Sequence, residues 1–383
     1  MIRDQDMLES LLATLDRFVT QELIPRESEV AESGKIPDDI AKAMRDLGLF
    51  GLTLPEEYGG MGLTMEEEVQ VAFSLGHASP AFRSLIGSNN GIGSMGIVVA
   101  GTKEQKEKYL PKLASGEMIG SFALTEPASG SDSAALKTRA EKQGDHYILN
   151  GTKRFITNAP HAGLFTIFAR TDQNHPGANG ISAFLVDRGA PGLTLGAVDK
   201  KMGQSGSLTS DVIMENCRIP ASALLGKENE GFKIAMSTLD RGRLHIAAVA
   251  TGAAERLIEE SLRFATDRKQ FGQAIANFQL IQAMLADSKT EAYAARCMIV
   301  DAAHKRDSGV EVTLEASASK LFATEMVGRV ADRAVQIHGG SGYMREYAVE
   351  RFYRDVRLFR LYEGTSQIQQ LVIARRMIKD FKG

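Results

Sequence analysis

The sequence predicts an α+β chain with an N-terminal α-helical domain, a central antiparallel β-barrel or sandwich, and a C-terminal four-helix bundle. Three observations lead there. Apolar residues recur at spacings of three and four through the first third of the chain and again from Gly231 onward, the period of a helix with one buried face. Between Gly120 and Glu230, short runs rich in β-branched and aromatic residues alternate with Gly, Asn and Pro clusters, the pattern of strands joined by tight turns. No helical segment separates those runs, which argues against a parallel doubly wound sheet. The changes of pattern divide the 383 residues into 1–119, 120–230 and 231–383.

The elements follow in order. Met7, Leu8, Leu11, Leu12, Leu15, Phe18 and Val19 mark one face of a first helix that Pro25 is expected to close. Helix-period segments continue to about Leu113, broken at Tyr58-Gly59-Gly60-Met61-Gly62 and from Gly91 to Gly96. In the middle, Tyr147 to Leu149, Asn150-Gly151 and Thr152 to Thr157 spell a hairpin, because Asn-Gly supplies the two positive-φ residues of a tight primed turn. Further strands are expected from Leu164 to Ala169, Ile181 to Val186, Leu193 to Val198 and Val212 to Met214, between turns such as His175-Pro176-Gly177 and Ala190-Pro191-Gly192. No Gly-x-Gly-x-x-Gly follows a strand, which weighs against a nicotinamide dehydrogenase. Four long helices are then expected, from Phe232 to Asp267, Phe278 to Arg306, Leu314 to Ile337 and Ser366 to Lys382. Apolar faces of that length point to a homo-oligomer.

Forty-five Lys and Arg stand against 48 Asp and Glu, a formal charge of −3. A nucleic-acid or anionic-membrane binder would need a broad basic field, so neither partner is expected; a local basic pocket for a phosphorylated ligand remains compatible. Cys217 and Cys297 are the two cysteines, too few for a disulfide framework and too far apart for a metal cluster. The first residues lead straight into an amphipathic pattern, and the apolar runs stop short of membrane-spanning length. The expectation is a cytoplasmic protein without a metal site.

Three segments hold more Gly, hydroxyl and charge than structure alone requires. In Leu124-Thr125-Glu126-Pro127-Ala128-Ser129-Gly130-Ser131-Asp132, small residues let backbone amides approach a ligand, and Thr125, Ser129 and Ser131 offer hydroxyls; a solvated interdomain loop reads the same way. In Gln336-Ile337-His338-Gly339-Gly340-Ser341-Gly342-Tyr343, the glycines serve a left-handed helix stop or the close approach of a diphosphate or second subunit, while His338 alone reads as packing. In Leu361-Tyr362-Glu363-Gly364-Thr365-Ser366-Gln367-Ile368-Gln369, Ser366 and Gln369 have the form of a capping box. Glu363 then lies just outside a helix N-terminus, a position that plain electrostatics with the dipole and with Arg351, Arg354, Arg357 and Arg360 also explains.

Together and in this order, these segments resemble the acyl-CoA dehydrogenase family of flavoproteins. The likeness covers nearly the whole chain and includes Pro55-Glu56-Glu57-Tyr58-Gly59-Gly60, Lys153-Arg154-Phe155-Ile156-Thr157-Asn158, Asp267-Arg268-Lys269-Gln270-Phe271-Gly272 and Tyr353-Arg354-Asp355. The resemblance implies FAD between the β domain and the bundle. Phe122, Leu124, Thr125, Ser131, Phe155, Ile156 and Thr157 would line the flavin, with Thr125 on its pyrimidine side and Thr157 near N5. Arg268, Gln270, Phe271 and Gln279, with Gln336, Ile337, Gly339 and Gly340, would reach the diphosphate and adenosine, some across a subunit boundary of a homotetramer. Thr365 and Gln367 would add contacts. Ser131, Gly364 and the stretch Asp240-Arg241-Gly242-Arg243 resemble positions that hold the acyl-CoA substrate. Most relatives carry Trp where this chain has Phe155, and it has no Trp at all.

The resemblance implies α,β-dehydrogenation of an acyl-CoA, the chemistry of fatty-acid β-oxidation: a base takes the Cα proton, flavin N5 takes hydride from Cβ, and an electron-transferring flavoprotein, or oxygen in oxidases of this fold, accepts the electrons. Glu363 matches the family base, its N–H and a flavin ribityl hydroxyl polarising the thioester carbonyl. Other relatives place the base where this chain has Gly242. A free Glu with pKa ~4.3 is a weak base, so desolvation must raise it. Arg83-Ser84 resembles the Arg-Ser of glutaryl-CoA dehydrogenases that pairs with a distal carboxylate; a solvated helix face is the competing reading. A short- to medium-chain acyl group or an acid-terminated one is therefore expected. The alternatives are a decarboxylating glutaryl-type enzyme, a lyase resembling 3-sulfinopropionyl-CoA desulfinase, or a redox-inert CoA-binding scaffold.

Overall fold

A computed structural model describes residues 1–175 and 177–382. Seven helices come first: α1 (Gln5–Phe18), α2 (Glu27–Ser33), α3 (Asp38–Asp46), α4 (Met65–Gly76), α5 (Pro80–Gly87), α6 (Met95–Ala100) and α7 (Lys103–Ser115). Pro25 does not close the first apolar face. After Phe18 the chain widens into a π turn over Val19–Leu23 and tightens into a 3-10 turn over Ile24–Arg26. Pro25 stands early in that turn, where a missing N–H is tolerated, and the helical path runs on to Gly34 at φ 73°.

Eight strands then form one mostly antiparallel sheet: β1 (Gly120–Ala123), β2 (Arg139–Gln143), β3 (His146–Thr157), β4 (Leu164–Arg170), β5 (Ile181–Asp187), β6 (Leu193–Val198), β7 (Thr209–Pro220) and β8 (Leu224–Leu225). Their order is β6-β7-β3-β2-β4-β5-β8, with β1 parallel to β4. The hairpin expected at Asn150-Gly151 is displaced. Gln143 pairs with His146, so the two-residue turn is Gly144-Asp145, and β3 runs unbroken through Asn150 and Gly151. The Asn-Gly signal marks instead a register break against β7, where the extra residue is Asn216 at φ 49°, its N–H held by Asn150 Oδ1 at 2.7 Å. A second break, between Lys153 and Ile156, inserts one residue into β3 and leaves Phe155 at φ 59°. Such a bulge re-aims a side chain, and Phe155 stands 59% exposed. The proposed turn at 175–177 lies partly outside the described residues.

The last part comprises α8 (Gly231–Asp267), a small hairpin of β9 (Lys269–Gln270) and β10 (Gln273–Ala274), α9 (Gln279–Asp307), α10 (Thr313–His338), the short α11 (Ala348–Val356) and α12 (Ser366–Lys382). The nine residues of α11 lie outside the four expected helices, although Val349, Phe352 and Val356 line one buried face. The bundle core also takes in Met65, Val69, Ala72 and Phe73 of α4. Gly76 lets α4 lie close on α8: a Cβ there would meet Val249 O at 2.5 Å. That contact lays α4 along the buried face of α8. No helix among the described residues is long and apolar enough to cross a membrane.

Candidate active site

The segment before α12 is held by its carbonyls. Glu363 and Gly364 have φ 55° and 87°, strained for a glutamate. Gln369 Nε2 donates to Glu363 O (2.9 Å) and Gly364 O (3.1 Å), and Lys320 Nζ donates to Gly364 O (2.8 Å). Glycine is required at 364 by its φ and because a Cβ would meet Gln369 Nε2 at 2.6 Å. The expected capping box does not form. Thr365 is the cap, accepting Ile368 N at 3.3 Å, while Ser366 donates to Glu325 Oε1 at 2.5 Å and Gln369 turns back to the clamp. Thr365, expected to contact FAD, thus uses its hydroxyl as the helix cap, and Gln367 is exposed.

Glu363 Oε2 is buried without a hydrogen-bond partner. Loss of hydration pushes the carboxyl pKa above its ordinary range, opposed by the positive charges of Arg83, then Arg243, then Lys320. The arginines expected to neutralise it are engaged elsewhere: Arg351 with Glu27, Arg354 with Glu350 and Arg360 with Glu325. The carboxylate lies against α8, where a Cβ on Gly242 would come 2.9 Å from Oε2. Lys320 is fully buried and its pKa is pushed down to about 8 by burial, with Glu363 partly offsetting the fall.

Around this carboxylate, Arg243 Nη1 meets Asp240 Oδ1 at 2.8 Å, and Asp240 Oδ2 accepts Thr313 Oγ1 at 2.7 Å. Arg243 Nε is buried without a partner. Arg241 is not available to a CoA phosphate, because it is tied to Glu68 Oε2 (2.5 Å) and Leu63 O (2.8 Å). Arg83 is not on a solvated face either. It is half-buried and donates from Nε to His245 Nε2 at 2.8 Å.

The loop from Leu124 to Asp132 is stapled to β3. The buried Glu126 carboxylate accepts Lys137 N (2.6 Å), Thr138 N (2.9 Å) and Lys153 Nζ (2.8 Å), and Lys153 also reaches Leu124 O at 3.1 Å. Arg154 N donates to Thr125 O at 2.8 Å. This brings Leu124, Thr125, Phe155 and Thr157 together, with Thr125 and Thr157 half-buried and Ser131 exposed. Two expectations need correction. Ser129 is buried and donates to Asp132 O at 2.5 Å, so its hydroxyl is not free. Ile156 is 2% exposed and packs in the β core, so its side chain is closed to a cofactor, whereas the half-buried Phe122 ring packs on Phe168 at 4.8 Å.

A second group gathers at one end of the bundle. Arg268, Gln270, Phe271, Gln279, Gln336, Gly339 and Gly340 are exposed around a small core of Ala265, Ile275 and Ile337. The Ile337 side chain belongs to that core, so it can meet a cofactor only through its backbone, and His338 stacks on Phe264 at 4.3 Å. Among the described residues no hydrogen bond links this group to the β3 loop or to Glu363. One group presents an exposed Phe155 beside half-buried hydroxyls, the other an open Gly339-Gly340 turn with nothing within 4 Å of either Cβ position.

Family models for the N-terminal, middle and C-terminal domains of acyl-CoA dehydrogenases match residues 5–117, 121–217 and 229–378. The chain belongs to the acyl-CoA dehydrogenase family. It is therefore an FAD-dependent oxidoreductase, and its relatives share the whole architecture. The chain is 42% identical over 364 residues to a caffeyl-CoA reductase–Etf complex subunit, CarC, of Acetobacterium woodii, covering 95% of each. It is 35% identical to butyryl-CoA dehydrogenase from Megasphaera elsdenii at TM-score 0.94, covering 99% and 100%. A glutaryl-coenzyme A dehydrogenase solved with glutaryl-CoA aligns at TM-score 0.93 and 33% identity over 99% of this chain and 97% of that one.

Sequence reasoning passed over Lys320, Glu68 and His245, and gave Gln369 a capping role in place of its bonds to Glu363 O and Gly364 O. A signal existed for Lys320, which falls at 320, 324, 327, 331 within the buried stripe of α10, where a cation without purpose would be expensive. Glu68 and His245 carried none, since their meeting depends on the α4–α8 crossing.

Proposed function

We propose that this acyl-CoA dehydrogenase acts on an acyl-CoA whose acyl chain ends in an acid group, with Glu363 as the base that removes the Cα proton. The observation that carries the base assignment is the sealed, unpartnered Oε2 of Glu363 beside Gly242. The backbone clamp by Lys320 and Gln369 fixes the carboxylate, and among the described residues the Glu363 N–H makes no hydrogen bond, leaving it to polarise a thioester carbonyl as enolate charge develops. Bound FAD supplies the acceptor for the Cβ hydride. Arg243 and Asp240 flank the thioester end; Ser131 and the β3 loop approach the pantetheine and flavin. Arg83 carries the substrate assignment: a half-buried guanidinium with no carboxylate partner within ion-pair distance among the described residues suits an anion brought by the substrate.

The likeness to a caffeyl-CoA reductase subunit supports a second reading, in which the same groups run backwards and Glu363 delivers the Cα proton to an enoyl thioester. That relative's complex also supports an electron-transferring flavoprotein as redox partner. The exposed second group, with Phe271 93% exposed, suits completion by another copy of the chain, as in a homotetramer.

Anaerobic mixing with glutaryl-, succinyl- and 3-sulfinopropionyl-CoA against valeryl- and butyryl-CoA tests the reading. Flavin bleaching, strongest with an acid-terminated chain, is the expected result. An unbleached flavin with sulfite release would replace dehydrogenation by a lyase reaction, and preference for uncharged chains would remove the role of Arg83. Arg83→Met is expected to lower kcat/KM for the preferred acid-terminated substrate by roughly 30-fold or more, the loss that follows removal of one partner of a desolvated charge pair. Because proton abstraction needs the carboxylate, kcat/KM for dehydrogenation rises with pH through the Glu363 pKa. Burial places that limb above the ordinary ~4.3 of a free glutamate, and a pH–rate profile with its limb at or below that value would contradict the assignment.

A further inference from the structure

Arg83 is oriented by an imidazole. Its Nε donates to His245 Nε2 at 2.8 Å, and because a guanidinium has no acceptor, His245 presents a bare Nε2 and keeps its proton on Nδ1. Nδ1 faces Glu68 Oε1 at 2.7 Å, and the other Glu68 oxygen takes Arg241 Nε at 2.5 Å. Glu68 and His245 are both buried. The relay Arg241–Glu68–His245–Arg83 thus joins α8, α4 and α5 and ends at a guanidinium whose charge acts on both Tyr362 and Glu363.

The charge count along the relay decides what it can do. Glu68 is matched by Arg241, and a neutral His245 adds nothing, so the charge of Arg83 is left uncompensated within the relay. Among the described residues the two Nη groups of Arg83 make no hydrogen bond to protein. Room for the guanidinium comes from Gly87 one turn on, where a Cβ would lie 2.8 Å from Arg83 Cζ. A carboxylate in place of His245 would orient Arg83 equally well but would neutralise it, and would compete with any anion brought by a substrate.

We infer that His245, backed by Glu68, is a positioning residue for substrate selection: it fixes the Nε edge of Arg83 by a single neutral hydrogen bond and so leaves both Nη groups to the terminal acid of the acyl chain. This rests on the reading of Arg83 as the acid receptor. It adds that the receptor is preorganised before substrate arrives, so that selection between an acid-terminated and an uncharged chain depends on a residue that touches neither.

The test compares dissociation constants, from anaerobic equilibrium titration of the FAD-loaded enzyme, for glutaryl-CoA and for valeryl-CoA, which lacks the terminal carboxylate. With His245 intact, the enzyme favours glutaryl-CoA. His245→Phe keeps the bulk but removes acceptor and donor, and the ratio of the two constants falls by about 10- to 100-fold, the range for losing a hydrogen bond to a charged group. His245→Gln places an acceptor and a donor on one planar group and recovers part of the ratio. Equal affinities with His245 intact, an unchanged ratio in His245→Phe, or a fall of the same size in His245→Gln would each overturn the inference. The titrations are made in the Glu363→Gln background, where proton abstraction is blocked and binding is read without turnover; flavin reduction by glutaryl-CoA in the enzyme with Glu363 intact reports the dehydrogenase assignment separately, so its failure, an unbleached flavin with His245-dependent binding, is distinct from failure of the relay.

Discussion

Glu363→Gln is expected to lower flavin reduction by acyl-CoA by about 10²- to 10⁴-fold, the usual contribution of a positioned general base, with FAD content unchanged. The amide is nearly isosteric, and the clamp acts on the main chain through Lys320 and Gln369, so the loop geometry survives the substitution. What is lost is the proton acceptor alone. Stability supplies an independent check with a definite sign. Burial raises the folded-state pKa of Glu363, so between the unfolded value of ~4.3 and the folded one the native state binds more protons, and stability falls as pH rises through that window. Gln escapes this penalty. At neutral pH Glu363→Gln should therefore melt no lower than the wild type, and a variant that is inactive but also markedly less stable would point to a structural role for the carboxylate. Rapid-mixing absorbance and calorimetry on the same preparation separate the two outcomes, and near-normal flavin reduction would reject Glu363 as the base.

The order helical, β, helical was legible because each region repeats one period over many residues; α8, α9 and α10 came within a residue or two of their expected limits, and β6 and α12 matched theirs. Local signals fared worse where tertiary contacts outbid them. Asn150-Gly151 carries a turn signal, yet β3 pairs with β2 on one side and β7 on the other, and ladder bonding on both edges holds the strand straight through it. Pro25 carries a helix-stop signal, but the apolar residues on either side, Leu23 and Val30, share one core with Leu15 and Phe18. In the site, Glu363 and Gly364 stood out as a carboxylate beside a glycine at a helix start. Their charge environment did not: the neighbours in sequence, Arg351, Arg354 and Arg360, find carboxylates of their own, while Arg83, Arg243 and Lys320 arrive from α5, α8 and α10. A one-dimensional reading ranks partners by sequence distance, and this site is assembled from helices that meet only in the folded bundle.

The contact between Gly242 and Glu363 makes the position of the base transferable. A Cβ at 242 would lie 2.9 Å from Oε2 and 3.2 Å from Cδ of Glu363, so a side chain rooted on α8 enters the same space that the carboxylate now fills from the loop before α12. Gly242→Glu alone should be nearly inactive, because two carboxyl groups would crowd one site, each displacing the other, and like charges there favour a shared proton over a free base. Glu363→Gly alone should also be nearly inactive, although its backbone is sound: φ 55° suits glycine, and the Gly364 carbonyl keeps its bond to Lys320. Combining them restores a single carboxylate, still facing Arg243 and Lys320, on a helix position where glutamate is favoured over glycine by roughly 1 kcal/mol. The double variant should regain at least about tenfold in flavin reduction over Glu363→Gly, a modest share of what a well-placed base provides, while staying below the wild type because the carboxylate approaches Cα from a new angle. Stopped-flow reduction of the three variants with one acyl-CoA measures this directly. A double variant that binds FAD, melts cooperatively and is no faster than Glu363→Gly would show that the loop, and not merely a carboxylate at that point in space, is what the reaction requires.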